Sequence, residues 1–332
     1  MSNKGAKPRI LLLGKTGQVG QELATLLDGM GQLTSLDRQH LDLSHPDEIC
    51  RVIRSVGPDL IVNAAAYTAV DRAESDEPAA RAVNAVAPGI MADEAKQLGA
   101  LLVHYSTDYV FDGAKRTPYD EEDPPNPINA YGRTKLEGEQ LIQQSGCAYL
   151  IFRTAWVYAR QGRNFLLTVL RLATEKEELR IVRDQVGAPT SSREIAAVTA
   201  KVLSQICCST NGASPWSATK GIYHMTAAGE TTWYDFAGRI LELASSRSRS
   251  ADWFRVATAN RPLIARKIVP IAAAEFPTAA RRPAYSVLAN RRLNQAFGVN
   301  LPHWEMQLRS IFSEEMDCVQ AQSPMQEHQR GK

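Results

Sequence analysis

Short apolar runs alternate with longer amphipathic segments along the first half of the chain. Continuous apolar runs of four or five residues indicate buried strands, and apolar residues spaced three and four apart indicate helices. The pattern predicts strands at Ile10–Gly14, Leu33–Asp37, Leu60–Asn63, Leu101–Ser106 and Tyr149–Arg153. It predicts helices at Gln21–Leu27, Asp47–Val56, Ala79–Leu98 and Tyr131–Gln144. Strands that alternate with helices form βαβ units, so we expect an α/β fold with a doubly wound parallel sheet.

The pattern becomes less regular after Val157. It predicts helices at Asn164–Lys176 and Glu194–Cys207 and a further strand at Gly221–Met225. Polar stretches predict a loop at Ser209–Lys220, a solvated turn at Ser245–Ser250 and a frayed end from Gln320. A length of 332 residues exceeds most single cores. We therefore expect a dinucleotide-binding Rossmann domain (1–157 plus about 191–225), a smaller mixed α/β substrate domain (about 158–190 plus 226–319) and a flexible tail (320–332).

Composition and charge favour an ordinary globular protein. The formal net charge is +2, so nothing in the balance argues for nucleic acid or a membrane surface as partner. No apolar run approaches the ~20 residues of a membrane helix, and the apolar stretch after the short basic start is too brief for a signal peptide. We expect a cytoplasmic protein with no nucleic-acid partner and no membrane partner.

The cysteines do not suggest a disulfide framework or a metal site. Their number is odd and their spacing is irregular: Cys50, Cys147, Cys207, Cys208 and Cys318. We expect them to be free thiols.

Three glycines, Gly14, Gly17 and Gly20, separate the first predicted strand from the first helix. A backbone without Cβ atoms can turn tightly there, and the helix N-terminus offers N–H donors and a positive dipole end to a pyrophosphate. The spacing is G-x-x-G-x-x-G rather than G-x-G-x-x-G, and such a loop can also be a simple turn. Asp37 ends the second predicted strand, where an acid can bind the ribose hydroxyls of a dinucleotide.

The residues after Asp37 leave the kind of dinucleotide open. Arg38 could meet a 2′-phosphate, so the acid favours NADH while the arginine permits NADPH. Asp42 and Leu43 could contact the adenine, or Asp42 could be a loop residue before a helix capped near Ser44. We expect NADPH or NADH as the cofactor.

Tyr131 and Lys135 form a Y-x-x-x-K pattern at the start of a predicted helix. Positions four apart share a helix face, and a lysine ammonium beside a tyrosine would lower the phenol pKa from about 10. Such a pair is a general acid for carbonyl reduction, although the same spacing also arises by chance on helix surfaces. Thr107, at the carboxyl end of a predicted strand, adds a hydroxyl where ligands of such sheets bind.

Longer motifs resemble a known family. Four segments together resemble the extended short-chain dehydrogenase/reductases: Gly14–Gly20, Asn63–Ala66, Ser106–Phe111 and Tyr131–Lys135. Further segments resemble one branch, the dTDP-4-dehydrorhamnose reductases: Val70–Glu74, Arg153–Tyr158, Asn164-Phe165, Asp184–Thr190, Arg282-Pro283 and Leu301–Glu305. The resemblance extends from about Arg9 to Ile311.

The resemblance implies a reaction and roles for these residues. The reaction is NAD(P)H-dependent reduction of the C4 keto group of dTDP-4-dehydro-β-L-rhamnose to dTDP-L-rhamnose, a step of O-antigen sugar synthesis. Tyr131 would donate the proton, Lys135 would hold the nicotinamide ribose and tune Tyr131, and Thr107 would hydrogen-bond the carbonyl oxygen. The implied cofactor residues are Gly14, Gly17, Gln18, Val19, Gly20, Asp37, Arg38, Asp42, Leu43, Ala64, Ala65, Ala66, Asn84, Tyr105, Tyr131 and Lys135. The dTDP-sugar would contact Thr107, Asp108 and Trp156.

Several of these residues have simpler interpretations. Trp156 could be a core residue, as large aromatic side chains usually are, and the three alanines could serve close packing alone. Arg282 could be a solvated charge rather than a pyrophosphate ligand.

The resemblance also implies a Mg²⁺ site that this chain changes. Some bacterial relatives bind the ion at a dimer interface through three glutamates, and Glu22 and Glu305 match two of these positions. Arg193 stands at the third position, and the neighbouring Glu194 would point about 100° away on a helix. Because a cation cannot replace a carboxylate ligand, we expect no metal, with Arg193 paired to Glu22 or Glu305 or with all three as surface residues. A homodimer is left open.

Two other functions remain open on the sequence. A nucleotide-sugar epimerase or dehydratase would share the fold, but dehydratases of this superfamily usually carry two acids after the active-site threonine, and here only Asp108 follows Thr107. A non-catalytic, NADP-binding regulatory subunit is the second alternative, which the intact Thr107, Tyr131 and Lys135 disfavour.

Overall fold

The computed structural model describes residues 7–208, 220–246 and 251–313. The strands are β1 (Arg9–Leu13), β2 (Gln32–Leu36), β3 (Leu60–Asn63), β4 (Leu101–Thr107), β5 (Ala148–Thr154), β6 (Val157–Tyr158), β7 (Glu178–Val182), β8 (Val186–Gly187), β9 (Thr190–Ser191), β10 (Gly221–His224), β11 (Thr231–Thr232) and β12 (Lys267–Ile271). The helices are α1 (Gln18–Asp28), α2 (Pro46–Val56), α3 (Val70–Ala73), α4 (Glu77–Arg81), α5 (Ala87–Leu98), α6 (Ala130–Ser145), α7 (Phe165–Glu175), α8 (Ser192–Cys208), α9 (Trp233–Ser246), α10 (Asp252–Ala257), α11 (Arg291–Phe297) and α12 (Trp304–Ser313). A π-helical segment (Ala82–Val86) and two short 3₁₀ turns (Asp108–Val110 and Ala273–Glu275) complete the described elements.

Six parallel strands form the central sheet in the order β10-β5-β4-β3-β1-β2. The prediction of a doubly wound parallel sheet is confirmed, including the additional strand β10. The chain passes from β2 across β1 to β3, so the strand order reverses between β1 and β3. Ligands of such sheets bind at the carboxyl ends of the strands beside this reversal, which is where the glycine loop follows β1.

Each face of the sheet is covered by helices. One face packs Leu12, Val62 and Val103 against α1 and α8, and the other packs Leu11, Ile61 and Leu102 against α2, α5 and α6. Because both faces are buried, the strands are apolar at nearly every position. This explains why continuous apolar runs predicted the strands correctly.

The long helix predicted at Ala79–Leu98 is interrupted by the π-helical segment Ala82–Val86. Pro88 accounts for the interruption, because it has no N–H to give to the carbonyl of Asn84 and its ring crowds that oxygen. The freed carbonyl faces Gly138 of α6, where a Cβ would overlap it. The irregular turn therefore lets this segment dock closely against α6.

A second apolar cluster lies outside the sheet, among α7, α9, α10 and α12. It is accompanied by the parallel pair β7 and β12. The prediction of a turn at Ser245–Ser250 is wrong for Ser245 and Ser246, because the apolar stripe of α9 continues through Leu243 and Ala244. The boundaries of two domains stay a prediction.

Some predictions lie outside the described residues. These are the loop at Ser209–Lys220 except its last residue, the rest of the predicted turn, the tail from Gln320, Cys318 and the side chain of Cys208. Cys50 and Cys147 are free cysteines, as predicted. Within the described ranges, every helix is too short or too polar to cross a bilayer.

Candidate active site

The glycine loop closes against the end of β3. Gly14 has a φ of +82°, and a Cβ on Gly14 would lie only 2.7 Å from the Ala65 nitrogen. A Cβ on Gly20 would overlap the Gly14 carbonyl oxygen. The small residues Ala64 and Ala65 therefore lie directly against the loop. Helix α1 begins immediately after Gly17, so its unpaired N–H groups and positive dipole end belong to this crevice.

Asp37 follows β2 at the same edge of the sheet. Its carboxylate accepts the backbone N–H groups of Gln39 and His40 at 3.0 and 3.3 Å, and His40 Nδ1 lies 2.6 Å from Oδ1. The hydrogen bond with the His40 side chain lowers the pKa of Asp37, which keeps the carboxylate ionised. Lys15 Nζ lies 3.6 Å from the other carboxylate oxygen. Lys15 is absent from the predicted site, although its place inside the glycine loop could have indicated it.

Arg38, Asp42 and Leu43 lie on the segment after Asp37. Asp42 accepts the backbone N–H and the hydroxyl of Ser44 at 3.0 and 2.8 Å, and Arg38 Nε donates to it at 3.2 Å. The backbone hydrogen bond from Ser44 contributes most to lowering the pKa of Asp42. The Leu43 side chain is buried in the core, so only its backbone is available to a ligand. Asp42 thus stabilises the turn that leads to Ser44. The guanidinium side chain of Arg38 is largely exposed.

Asn129 sets the first turn of α6, which carries Tyr131. Its side-chain oxygen accepts the Gly132 N–H at 2.8 Å, and its amide donates to the Arg281 carbonyl at 2.8 Å. Gly132 lets this turn approach the end of β4, because a Cβ there would overlap the Tyr109 carbonyl oxygen. Asn129 is buried and absent from the predicted site. Its signal in the sequence was its place directly before an apolar helical pattern, which is typical of a helix cap.

The segments Val70–Glu74 and Arg282-Pro283 meet at the same helix end. Glu74 accepts the Ala130 N–H at 2.7 Å, which places a carboxylate at the positive end of α6. Asp71 accepts two hydrogen bonds from the Arg282 guanidinium at 2.7 and 3.1 Å, and this pairing lowers the pKa of Asp71. Arg282 is therefore not a solvated charge. It ties the later segment to α3.

Tyr131 and Thr107 come together at the carboxyl edge of the sheet. Burial raises the pKa of Tyr131 to about 12, and a hydrogen bond with the Thr107 side chain opposes this rise. The prediction of a lowered tyrosine pKa is therefore wrong. The four-residue spacing correctly predicted a shared helix face, but it carried no information on the burial of the phenol.

Lys135 is enclosed by protein, with 1% of its surface exposed. Its Nζ donates to the Tyr105 carbonyl at 2.6 Å and lies 2.9 Å from Nε2 of His104. Nδ1 of His104 lies in turn 3.1 Å from Nδ2 of Asn63. Burial lowers the pKa of Lys135 to about 7. His104 is absent from the predicted site, although a histidine inside an apolar strand could have indicated it.

Asp108 lies behind Thr107 and is buried. The Thr107 hydroxyl donates to Asp108 Oδ1 at 3.0 Å, and its oxygen accepts the Tyr109 N–H at 3.1 Å. Burial raises the pKa of Asp108 to about 7, against hydrogen bonds from Ser286 and Thr107. The second oxygen, Oδ2, is buried with no hydrogen-bond partner among the described residues. Asp108 therefore has hydrogen bonds with both Thr107 and Ser286.

Trp156 follows β5 with a strained backbone. Its φ of +47° is rare for a residue with a side chain, and such strain is concentrated at functional sites. The indole stacks on Trp233, with ring centroids 3.4 Å apart and 5° between the planes. A Cβ on Gly187 would overlap the Trp156 ring. Trp156 is partly exposed rather than a simple core residue, and Trp233 is a neighbour that the sequence did not indicate.

Asn84 sits in the π-helical segment and is fully buried. Its side-chain oxygen accepts the Tyr67 N–H at 2.8 Å, and its amide lies 3.2 Å from Thr134 Oγ1. Asn84 therefore joins the loop after β3 to α6 through contacts within the protein.

Three other predicted cofactor residues also have partners within the protein. Gln18 accepts a hydrogen bond from Asn164 at 2.8 Å, and Tyr105 Oη lies 2.7 Å from Thr199 Oγ1. Val19 packs against the core. The Tyr105 hydroxyl thus points to α8, while its carbonyl receives Lys135.

The residues of the predicted metal position do not form a cluster of ligands. Glu305 pairs with Arg309 at 3.8 Å, and Arg193 opposes the burial that raises the pKa of Glu194. In the part of the chain that the structure describes, no group of three or more His, Cys, Asp and Glu side chains is arranged to hold an ion. The pairing of Arg193 with Glu22 or Glu305 stays a prediction.

The fold and the site together define a class. A doubly wound sheet with a glycine loop at its switch point and a tyrosine–lysine helix at its carboxyl edge is the arrangement of NAD(P)-dependent short-chain dehydrogenases/reductases.

Comparisons with known proteins narrow this class. The family model "RmlD substrate binding domain" matches residues 8–316. A dTDP-4-dehydrorhamnose reductase of Burkholderia thailandensis is 48% identical over 296 residues, which are 89% of this chain and 95% of that protein. The chain therefore belongs to the dTDP-4-dehydrorhamnose reductase family, a family of oxidoreductases.

Other relatives agree. The dTDP-4-dehydrorhamnose reductase of Escherichia coli K12 is 41% identical over 309 residues, which are 92% of this chain and 97% of that protein. A crystal structure of the Bacillus anthracis dTDP-4-dehydrorhamnose reductase in complex with NADP superposes with a TM-score of 0.80 at 32% identity, covering 93% of this chain and 99% of that one. UDP-glucose 4-epimerase of Thermus thermophilus, at 16% identity and a TM-score of 0.69, shares the fold.

Proposed function

We propose that the protein reduces the C4 keto group of dTDP-4-dehydro-β-L-rhamnose with NADPH or NADH, giving dTDP-L-rhamnose. The observation that carries the proposal is the meeting of Tyr131 and Thr107 at the carboxyl edge of the sheet, in a chain of this family. An epimerase shares the fold alone, so no observation favours that alternative.

Tyr131 is the proton donor in this proposal. With a pKa of about 12, the phenol carries its proton at neutral pH and has one to donate. When substrate binds, the Thr107 hydroxyl turns its hydrogen from Asp108 Oδ1 to the carbonyl oxygen and holds that oxygen beside the phenol. When bound, the nicotinamide supplies the hydride that adds to C4, while the Tyr131 proton goes to the oxygen. Lys135, one helical turn from Tyr131, holds the nicotinamide ribose and offsets the phenolate charge.

The crevice at the glycine loop fits a dinucleotide. Gly14 and Gly20 leave no room for a Cβ, and the N-terminus of α1 supplies donors for the pyrophosphate. The ionised Asp37 is suited to the ribose hydroxyls. Lys15 and Arg38 add cations beside it, which supports acceptance of a 2′-phosphate. Asn84 and Tyr105 shape this crevice through the protein contacts described above.

Trp156 is the residue we assign to the sugar nucleotide. Its strained backbone and partly exposed ring at the end of β5 support this role. The two-domain division with a substrate domain around α7, α9 and α12 belongs to the same proposal.

The test is a coupled reductase assay. The protein is mixed with NADPH or NADH and with dTDP-4-dehydro-L-rhamnose generated in situ, and loss of reduced-cofactor absorbance is followed. We expect turnover in the wild type and a loss of at least ~100-fold in kcat for Tyr131→Phe. Tyr149→Phe, at the amino end of β5 and the opposite edge of the sheet, is the matched control and should retain activity. No oxidation of either cofactor would refute the proposed reaction.

A further inference from the structure

A chain of buried polar side chains lies beneath α6. Asn63 and His104 are register partners on the neighbouring strands β3 and β4, and both are 0% exposed. Asn63 Nδ2 lies 3.1 Å from His104 Nδ1, and His104 Nε2 lies 2.9 Å from Lys135 Nζ. Neither Asn63 nor His104 has a part in the reaction proposed above. Such burial is costly for polar groups unless every donor meets an acceptor.

The direction of these hydrogen bonds follows from one fixed donor. The backbone N–H of Ala65 donates to Asn63 Oδ1 at 3.1 Å, so the amide NH₂ of Asn63 must face His104. His104 Nδ1 then accepts, and a neutral imidazole carries its proton on Nε2. That N–H points at Lys135 Nζ, which can accept it only through the lone pair of an uncharged amine. The amine in turn donates to the Tyr105 carbonyl at 2.6 Å.

The charged lysine has no equally complete arrangement. An ammonium has no lone pair, so His104 Nε2 would have to accept and Nδ1 would carry the proton. Nδ1–H would then meet the NH₂ of Asn63. Turning that amide relieves this contact but sets its NH₂ against the Ala65 N–H. Either choice buries two donors against each other, and only the neutral amine avoids this.

We propose that Asn63 and His104 hold Lys135 as a neutral amine in the cofactor-free protein. Asn63 fixes the proton of His104 on Nε2, and we call this arrangement the tautomer lock. Asn63 and His104 are positioning residues that act through Lys135.

The charged groups around Lys135 are consistent with this lock. Glu139, one turn further along α6, favours the ammonium, but it is paired with Arg153 of β5 at 2.6 Å. Tyr131 on the same helix keeps its proton, and Asp108 beyond it acts on Tyr131. Burial lowers the pKa of Lys135 to about 7 and that of His104 well below its ordinary value.

The consequence for catalysis rests on the proposed function. A lysine poised between its two forms near neutrality can take up a proton when the site fills and return one to the Tyr131 phenolate after turnover. The lock would thus set the pH at which Lys135 is competent to assist Tyr131.

The lock itself is tested without catalysis. The full chain is labelled with ¹⁵N-histidine, and long-range ¹H–¹⁵N spectra identify the tautomer of each ring, with His104→Gln assigning the His104 signals. We expect His104 as the neutral Nε2–H tautomer at pH ~9, where Lys135 is uncharged, and a change towards Nδ1–H as Lys135 takes up its proton below pH ~7. A Nδ1–H tautomer or an imidazolium at pH ~9 would overturn the proposal, whether or not the protein is a reductase.

The substitution Asn63→Asp moves the His104 proton from Nε2 to Nδ1 with little change in the shape of the side chain at position 63. A carboxylate accepts from both the Ala65 N–H and His104 Nδ1–H, which leaves Nε2 to accept from an ammonium. We expect the His104 signals to change to a ring protonated on Nδ1. We also expect the alkaline limb of kcat/KM to move up by ~1 pH unit or more, a tenfold change in the Lys135 equilibrium.

The control is Asn294→Asp on α11, which should change neither readout. An altered His104 tautomer with an unmoved alkaline limb would refute the coupling to Lys135. A wild type with the expected tautomer but no reductase activity would refute the proposed function and leave the lock standing.

Discussion

The ion pair between Glu139 and Arg153 is the strongest stability test that the structure offers. Arg153 Nε and Nη2 donate to the two carboxylate oxygens of Glu139 at 2.9 and 2.6 Å. The two side chains are only 1% and 2% exposed, so solvent does not screen the pair. Removing one partner leaves the other charge buried and unpaired, which costs about 3–5 kcal/mol. We expect this loss of unfolding free energy for Glu139→Leu and for Arg153→Met.

The double variant should behave differently. With both charges replaced by apolar side chains of similar size, the desolvation cost disappears, and stability should lie within ~2 kcal/mol of the wild type. The two single losses together exceed the double loss, so the cycle should give a coupling energy of about 3 kcal/mol or more. Urea unfolding followed by far-ultraviolet circular dichroism measures each value.

An exposed pair on the same helix is the control for this cycle. Glu137 pairs with Arg81, but these side chains are 33% and 53% exposed, so removing either should cost no more than about 1 kcal/mol. Additive single losses in the double variant would refute the reasoning, because they would mean that neither charge depends on the other.

Glu139 also raises the pKa of Lys135, so Glu139→Gln should move the alkaline limb of reductase activity to lower pH.

Three further predictions concern single side chains. Gly20→Ala should weaken NADPH binding by at least ~10-fold in calorimetric titration, because its Cβ would overlap the Gly14 carbonyl oxygen; unchanged affinity would contradict this. Asn129→Ala should lower the unfolding free energy by about 1–3 kcal/mol in urea, since it removes the cap of α6 and leaves the Arg281 carbonyl without its donor; a loss under ~0.5 kcal/mol would count against the cap. The pKa of Asp108 is about 7 in the folded protein, above its unfolded value, so between these two values the native state binds a proton that the unfolded state has lost. The unfolding free energy of the wild type should therefore fall from pH ~4 to pH ~7, relative to that of Asp108→Asn, by up to about 1.4 kcal/mol per pH unit. A parallel pH dependence of the two proteins would show that Asp108 does not titrate this way.

The sheet was predictable because both of its faces are buried. Strand β3 has the predicted bounds, Leu60–Asn63, since helices cover it on each side and every position is apolar or hidden. The interruption of the helix at Ala82–Val86 was not predicted, although Pro88 is visible in the sequence. Its form depends on how closely α6 approaches, and that in turn depends on Gly138, about fifty residues away along the chain. Contacts between distant segments of this kind leave no periodic pattern.

The sequence was sufficient to predict candidate residues of the site, but not their pKa values. The spacing of Tyr131 and Lys135 identified their shared face, but the burial that raises the pKa of one and lowers the pKa of the other depends on neighbouring strands. His104 stands out as a polar residue in an apolar strand, but its partner cannot be inferred until its register with Asn63 is known. Sequence spacing reports neighbours on one element, whereas proton affinity is set by groups from several elements.

The first turn of α6 explains why separated motifs accompany the tyrosine and lysine. Glu74 binds the Ala130 N–H, and Asn129 joins that turn to the Arg281 carbonyl. One turn beyond Lys135, Glu139 binds Arg153, the first residue of another motif. The tyrosine and lysine are thus the middle part of a longer arrangement along one helix face, and the residues that hold the helix come from distant parts of the chain. A motif search that stops at Y-x-x-x-K identifies the chemistry but omits the contacts that set its proton affinities.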